Sequence, residues 1–163
     1  MDKRLYQLAE QVGVALKSRA LMLATAESCT GGWIGAAITA VPGSSDWYER
    51  GFITYAYVAK REMLGVKSKT LQKFGAVSEQ TISEMVAGAL AASYAHVAVA
   101  VSGTAGPAGG TPEKPVGTVC LAWAIRGGEP IVETRHFEGD RDAVRRQSVE
   151  RALVGVLELL GAG

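Results

Sequence analysis

The sequence is poor in the residues that most often build metal centres and covalent frameworks, with two cysteines, Cys29 and Cys120, and two histidines, His96 and His136, in 163 residues. The thiols share no spacing that suggests zinc, an iron-sulfur cluster or a disulfide framework, so a reducing, cytoplasmic setting is expected. The histidines fall ahead of one apolar run and inside a late strand, which leaves little material for a Ser-His-Asp triad. The Gly-x-Ser-x-Gly elbow is missing too, because Ala26 and Thr30 stand where its glycines would be. Excess charge is also lacking. Lys+Arg 17 against Asp+Glu 16 leaves +1, and no global field would recruit nucleic acid or an anionic membrane. No apolar run approaches the roughly 18 residues of a membrane span, and the charged start MDKRLYQLAEQVGVALKSRA does not read as a signal peptide. These absences leave a single domain over 1–163 with no metal or cofactor and no nucleic-acid or membrane partner.

What is present is an alternation of helix and strand signals. Leu5, Leu8, Val12 and Leu16 recur at helical spacing, so Asp2 to about Arg19 reads as an amphipathic helix. LMLATA is a short buried strand feeding the Gly31-Gly32 turn and a small-residue helix to about Ala40. VPGSSDWYERG reads as loop and the aromatic, β-branched FITYAYV as a strand. Ser78 N-caps a further helix, and VAVAVS, apolar on both faces, suits a central strand. Gly103 to Pro115 is too rich in Gly and Pro for regular structure. Two strands then meet around Gly127-Gly128 as a hairpin, and Asp140 caps a long final helix. The expected fold class is α/β, a three-layer α/β/α sandwich around a mixed, mostly parallel sheet with a late β-hairpin. Trp47 and Tyr48, expected to be exposed, could serve an interface together with Ala36, Ala37 and Ala40, although helix packing explains the alanines equally well.

Chemistry concentrates in ATAESCTGGWIG, Ala24 to Gly35. Ser28 falls where strand gives way to helix, near the N–H groups of Thr30, Gly31 and Gly32, which could hold an oxyanion. Ser28 or Thr30 could equally cap the helix, although a cap needs no paired glycines after it. Cys29 is a rival nucleophile that lacks a histidine partner. Without histidine, a serine can use a lysine as base. Lys60 closes the hydrophobic YAYVAK, where burial would lower its pKa, or where it could merely snorkel. Tyr55 and Tyr57 alternate on the same expected strand face, and one could relay a proton. The glycine loop offers N–H groups around Gly103, Thr104 and Gly106, the Thr104 and Thr111 hydroxyls, and Lys114. In the last helix the stripe Val149, Leu153, Val156, Leu160 puts Arg145 and Arg141 on the inward face, facing a ligand anion or an internal carboxylate such as Glu27.

Taken together, TAESCTGGW, PGSSDWYERGFITY, GAVSEQT, VAVSGTAGPAGGTPEKPVGTV and GDRDAVRRQ resemble the CinA C-terminal domain family from the first helix to the last. The resemblance implies an amidohydrolase that converts nicotinamide mononucleotide and water to nicotinic acid mononucleotide and ammonia, without a cofactor. By motif match it implies Ser28 as nucleophile, Lys60 as its base and an assisting tyrosine, Tyr57 in preference to Tyr55 because it lies nearer Lys60 in sequence. It gives the substrate phosphate to the arginines of GDRDAVRRQ, Arg145 before Arg141, and it implies a homodimer of the stand-alone type, with no room for an N-terminal pyrophosphatase-like domain. A nucleotide-binding module that has lost turnover is the alternative.

Overall fold

Large and small side chains alternate in VAVAV, and that alternation sorts the molecule into layers. In the computed structural model, which describes residues 2–162, this run lies in β3 (Val97–Gly103), the middle strand of a five-stranded sheet ordered β2-β1-β3-β4-β5. The others are β1 (Leu23–Glu27), β2 (Tyr48–Ile53), β4 (Thr118–Ile125) and β5 (Ile131–His136). β2, β1 and β3 run parallel, β4 is antiparallel to β3, and β5 is antiparallel to β4, so only β4 opposes the common direction. The sheet is mixed and mostly parallel, with the late hairpin in place.

Val97, Val99 and Val101 point into one core with Val119, Leu121 and Trp123 of β4, under α1 (Lys3–Ser18), α2 (Trp33–Thr39) and α6 (Arg141–Leu159). Ala98 and Ala100 point the other way with Cys120, Ala122 and Ala124, under α3 (Tyr57–Leu64), α4 (Ser68–Phe74) and α5 (Glu79–Ala91). Period-two alternation thus serves two helical layers at once. Close approach is needed on both sides. A Cβ at Gly88 of α5 would lie 1.9 Å from the Leu64 carbonyl oxygen at the end of α3, and one at Gly155 of α6 would lie 2.1 Å from the Trp123 ring.

Helix caps follow the sequence. Asp2, Ser78 and Asp140 accept from the N–H groups of Leu5, Thr81 and Ala143 at the starts of α1, α5 and α6. Two expectations are overturned. FITYAYV is not one strand, for β2 begins earlier, at Tyr48 within the expected loop, and ends at Ile53, and Tyr57 already opens α3. The ladder's last bond runs from Thr54 N–H to the Glu27 carbonyl, beyond which β1 has turned away. Trp47 and Tyr48 are not surface residues either. Trp47 is 3% exposed, and its ring occupies the space beside Gly13 of α1. Tyr48 is partly buried, with its hydroxyl 2.7 Å from Thr25 Oγ1. Among the described residues no helix is long and apolar enough to cross a membrane.

Candidate active site

The site begins at the end of β1, where Glu27 takes up the work of starting the next helix. Its buried carboxylate accepts from Thr30 Oγ1 at 2.5 Å, Ile34 N at 3.0 Å and Gly35 N at 3.1 Å. Glu27 therefore satisfies the first turn of α2, and neither arginine meets it. Neither Ser28 nor Thr30 serves as the cap. The chain reverses through Gly31 (φ +58°) and Gly32 (φ +99°), left-handed conformations that other residues adopt only at a cost.

Ser28 is left free to face the opposite layer. Its N–H donates to the Val101 carbonyl at 3.0 Å, extending the β1–β3 ladder by one residue. Alternation then sends its side chain to the face of Ala26, toward α3 and α5.

Lys60 comes to meet it from the first turn of α3, not from a strand end. The whole residue is buried. Its Nζ lies 2.9 Å from Ser28 Oγ, 2.7 Å from the Thr54 carbonyl oxygen and 3.0 Å from that of Tyr55. Burial pulls the ammonium pKa from 10.5 down to about 8, with the nearby Cys29 pulling weakly the other way. Once neutral, the amine would hold its two hydrogens on the two carbonyls and turn its lone pair to the Ser28 hydroxyl.

These groups line a cavity of about 180 Å³, together with Cys29, Tyr55, Gly103 and Arg141. That volume is below the roughly 300 Å³ and more of cavities that enclose drug-sized ligands, so it would enclose only part of such a molecule. Ser102, which sequence reasoning passed over, also lines it, with a hydroxyl that has no hydrogen-bond partner among the described residues. The signal for it was slight, a polar residue closing an apolar strand.

Other sequence candidates lie elsewhere or are already engaged. The Tyr57 hydroxyl accepts from Ala76 N–H at 3.3 Å rather than meeting Lys60. Tyr55 and Tyr57 do not share a strand face, because Tyr57 has entered the helix. Tyr55 offers Lys60 its carbonyl, and its hydroxyl accepts from Arg141 Nη2 at 3.4 Å. Arg141 Nη1 donates to the Gly106 carbonyl at 2.7 Å. Arg145 lies outside the cavity lining, donating to the carbonyls of Cys29 at 3.0 Å and Thr30 at 3.3 Å. The Gly31 N–H is taken by the Ser28 carbonyl at 3.1 Å. In the glycine loop, Thr104 N–H donates to the Thr118 carbonyl, Thr111 Oγ1 accepts from Lys114 N–H, and Lys114 Nζ donates to the Phe74 carbonyl. Cys29 is 6% exposed and burial pushes its thiol up to about 11, the reverse of an activated nucleophile. His96 accepts from Met22 N–H at 2.9 Å, away from the cavity.

Comparison with known proteins now places this arrangement. The model of the CinA C-terminal domain matches residues 5–160. The chain belongs to the CinA C-terminal domain family. Within it, the chain is 56% identical over 152 residues to nicotinamide-nucleotide amidohydrolase PncC of Escherichia coli (strain K12), covering 93% of this chain and 92% of that protein. The protein of the same name from Pseudomonas putida is 53% identical over 93% of this chain and 94% of its own. Among CinA structures, the crystal structure of competence/damage inducible protein CihA from Agrobacterium tumefaciens superposes with a TM-score of 0.93 at 45% identity, covering 99% of this chain and 98% of that one.

Proposed function

We propose that this protein is a nicotinamide-nucleotide amidase that hydrolyses nicotinamide mononucleotide to nicotinic acid mononucleotide and ammonia through a Ser28 acyl-enzyme. The observation that carries the reading is the 2.9 Å contact between Ser28 Oγ and a buried Lys60 amine whose pKa is lowered to about 8. The names of its relatives from E. coli and P. putida supply the substrate class.

Neutral Lys60 takes the proton of Ser28 as Oγ attacks the carboxamide carbon, and the resulting ammonium is held on the Thr54 and Tyr55 carbonyls. Lys60 then returns that proton to the departing nitrogen, so the C–N bond breaks and ammonia leaves. Water, deprotonated by the same amine, attacks the acyl carbon and releases the nicotinic acid product, with the proton going back to Ser28. Arg141, at the cavity, is the cation placed for the phosphate once its hydrogen bonds to Gly106 and Tyr55 yield. Ser102, in the cavity lining, would contact the carboxamide, and Tyr57, whose hydroxyl accepts from the N–H of the lining residue Ala76, would support that wall. The family likeness extends the proposal to a cytoplasmic homodimer, for which the exposed Ile53, Val58 and Met63 offer apolar surface.

The test is ammonia release from nicotinamide mononucleotide by wild type, Ser28→Ala and Lys60→Ala. Release by the wild type alone is expected. A silent wild type that still binds the nucleotide would make the protein a binding module and overturn the amidase.

A further inference from the structure

Arg145 is oddly placed for a phosphate ligand. It contacts the nucleophile loop from the α6 side through two carbonyls, stacks its guanidinium 5.4 Å from the centre of the Trp33 ring, and lies 3.7 Å from the Asp142 carboxylate. An anion would have to compete with all of these.

Peptide geometry shows what the contacts accomplish. In a trans peptide the C=O and N–H point in opposite directions. Arg145 Nε holds the Cys29 carbonyl, so the N–H of the same peptide, that of Thr30, is directed away from α6. The peptide before it is fixed as well, because the Ser28 carbonyl accepts from Gly31 N–H, which turns the Cys29 N–H away from Gly31. Neither of these N–H groups donates to another residue among the described ones, the Cys29 N–H having only its own thiol beside it, although Thr30 is fully buried and Cys29 nearly so. Buried N–H groups without a partner are rare, and these two immediately follow the nucleophile.

Resting on the amidase reading, we propose that Arg145 is a positioning residue: its hold on the Cys29 carbonyl aims the Thr30 N–H, and its hold on the Thr30 carbonyl fixes the peptide whose Gly31 N–H bonds the Ser28 carbonyl and so secures the Cys29 N–H, which turns both donors to the oxyanion that forms when Ser28 attacks. The donor pair is thus Cys29 and Thr30, not Gly31, and Arg145 contributes to the transition state without touching the substrate. A lysine is a poor replacement, since its single ammonium cannot reproduce the separate Nε and Nη2 donors on the Cys29 and Thr30 carbonyls while a flat guanidinium lies over Trp33.

Kinetics and binding together test this. Arg145→Lys and Arg145→Ala are assayed on nicotinamide mononucleotide. The same changes are made in a Ser28→Ala background, where the dissociation constant for intact substrate is read by calorimetry, and thermal melting checks folding. Expected is a kcat loss of about 100-fold in both variants, as for a catalytic group displaced by about 1 Å, with KM and the dissociation constant unchanged. If Arg145→Ala does not fold, Arg145→Lys, which retains stem and charge, decides alone. A weakened dissociation constant with kcat retained would overturn the proposal and return Arg145 to the phosphate, as would wild-type kcat in folded Arg145→Lys. Failure of the amidase reading itself looks different, because the wild type would then release no ammonia.

Discussion

The pH dependence of the reaction follows from Lys60. An ammonium of pKa about 8 is neutral in about one molecule in ten at pH 7, whereas at its ordinary 10.5 the neutral fraction would be about 300-fold smaller. The base must be neutral to accept the Ser28 proton, so kcat/KM should fall about tenfold per unit as pH drops below 8 and level off above it. The substrate phosphate obscures this limb little, since its second ionisation near pH 6 changes the dianion fraction only about twofold between pH 6 and 7, against the roughly tenfold fall expected from Lys60. The assay is initial-rate ammonia release between pH 6 and 9.5, alongside NMR titration of the lysine side chains in Ser28→Ala. Lys60→Arg, whose guanidinium stays charged, should lose about 10²–10⁴-fold in kcat at every pH. A profile flat from pH 6 to 9, or substantial turnover by Lys60→Arg, would refute the assignment of Lys60 as the base.

Three further outcomes are expected. Cys29→Ala should keep its turnover and the wild type should survive thiol alkylation, whereas loss of rate in both would move the nucleophile to the thiol. The buried Thr54 Oγ1 has no partner among the described residues, so Thr54→Val should stabilise the protein by about 1 kcal/mol, or roughly 2–4 °C in Tm; a lower Tm would refute the reading of that hydroxyl as unsatisfied. Gly88→Ala puts a methyl 1.9 Å from the Leu64 carbonyl oxygen. It should cost about 1–3 kcal/mol by overpacking and lower kcat as α3 shifts Lys60, and unchanged kcat would show that the dyad tolerates movement of that helix.

The layers were legible because VAVAVS and the caps at Asp2, Ser78 and Asp140 are local signals. Ser28 and Lys60 were legible as a pair because neither of the two histidines lies near the motif and Lys60 closes a hydrophobic run, whereas most other lysines fall among polar residues. The helix that carries Lys60 was not, for in FITYAYV aromatic and β-branched composition argues for strand until β1 turns away after Glu27 and pairing stops. The inward phase of Arg145 could be read from the α6 stripe, but its partners could not, because backbone carbonyls leave no mark in a sequence. Glu27 was misjudged for a related reason. A carboxylate beside a glycine pair looks like a counter-ion until the N–H groups of Ile34 and Gly35 are seen to converge on it.

The first turns of α6 hold two loops that are distant in the chain, through Arg141 on Gly106 and Arg145 on Cys29 and Thr30. The nucleophile, the glycine loop and the helix that braces both come from the beginning, middle and end of the sequence, and such long-range contacts close late. Recovered activity should therefore report completed folding. In a refolding time course ammonia release should appear only after helical signal has returned, and a chain still emerging from the ribosome, with Ser28 and Lys60 already made, should remain silent until α6 has docked.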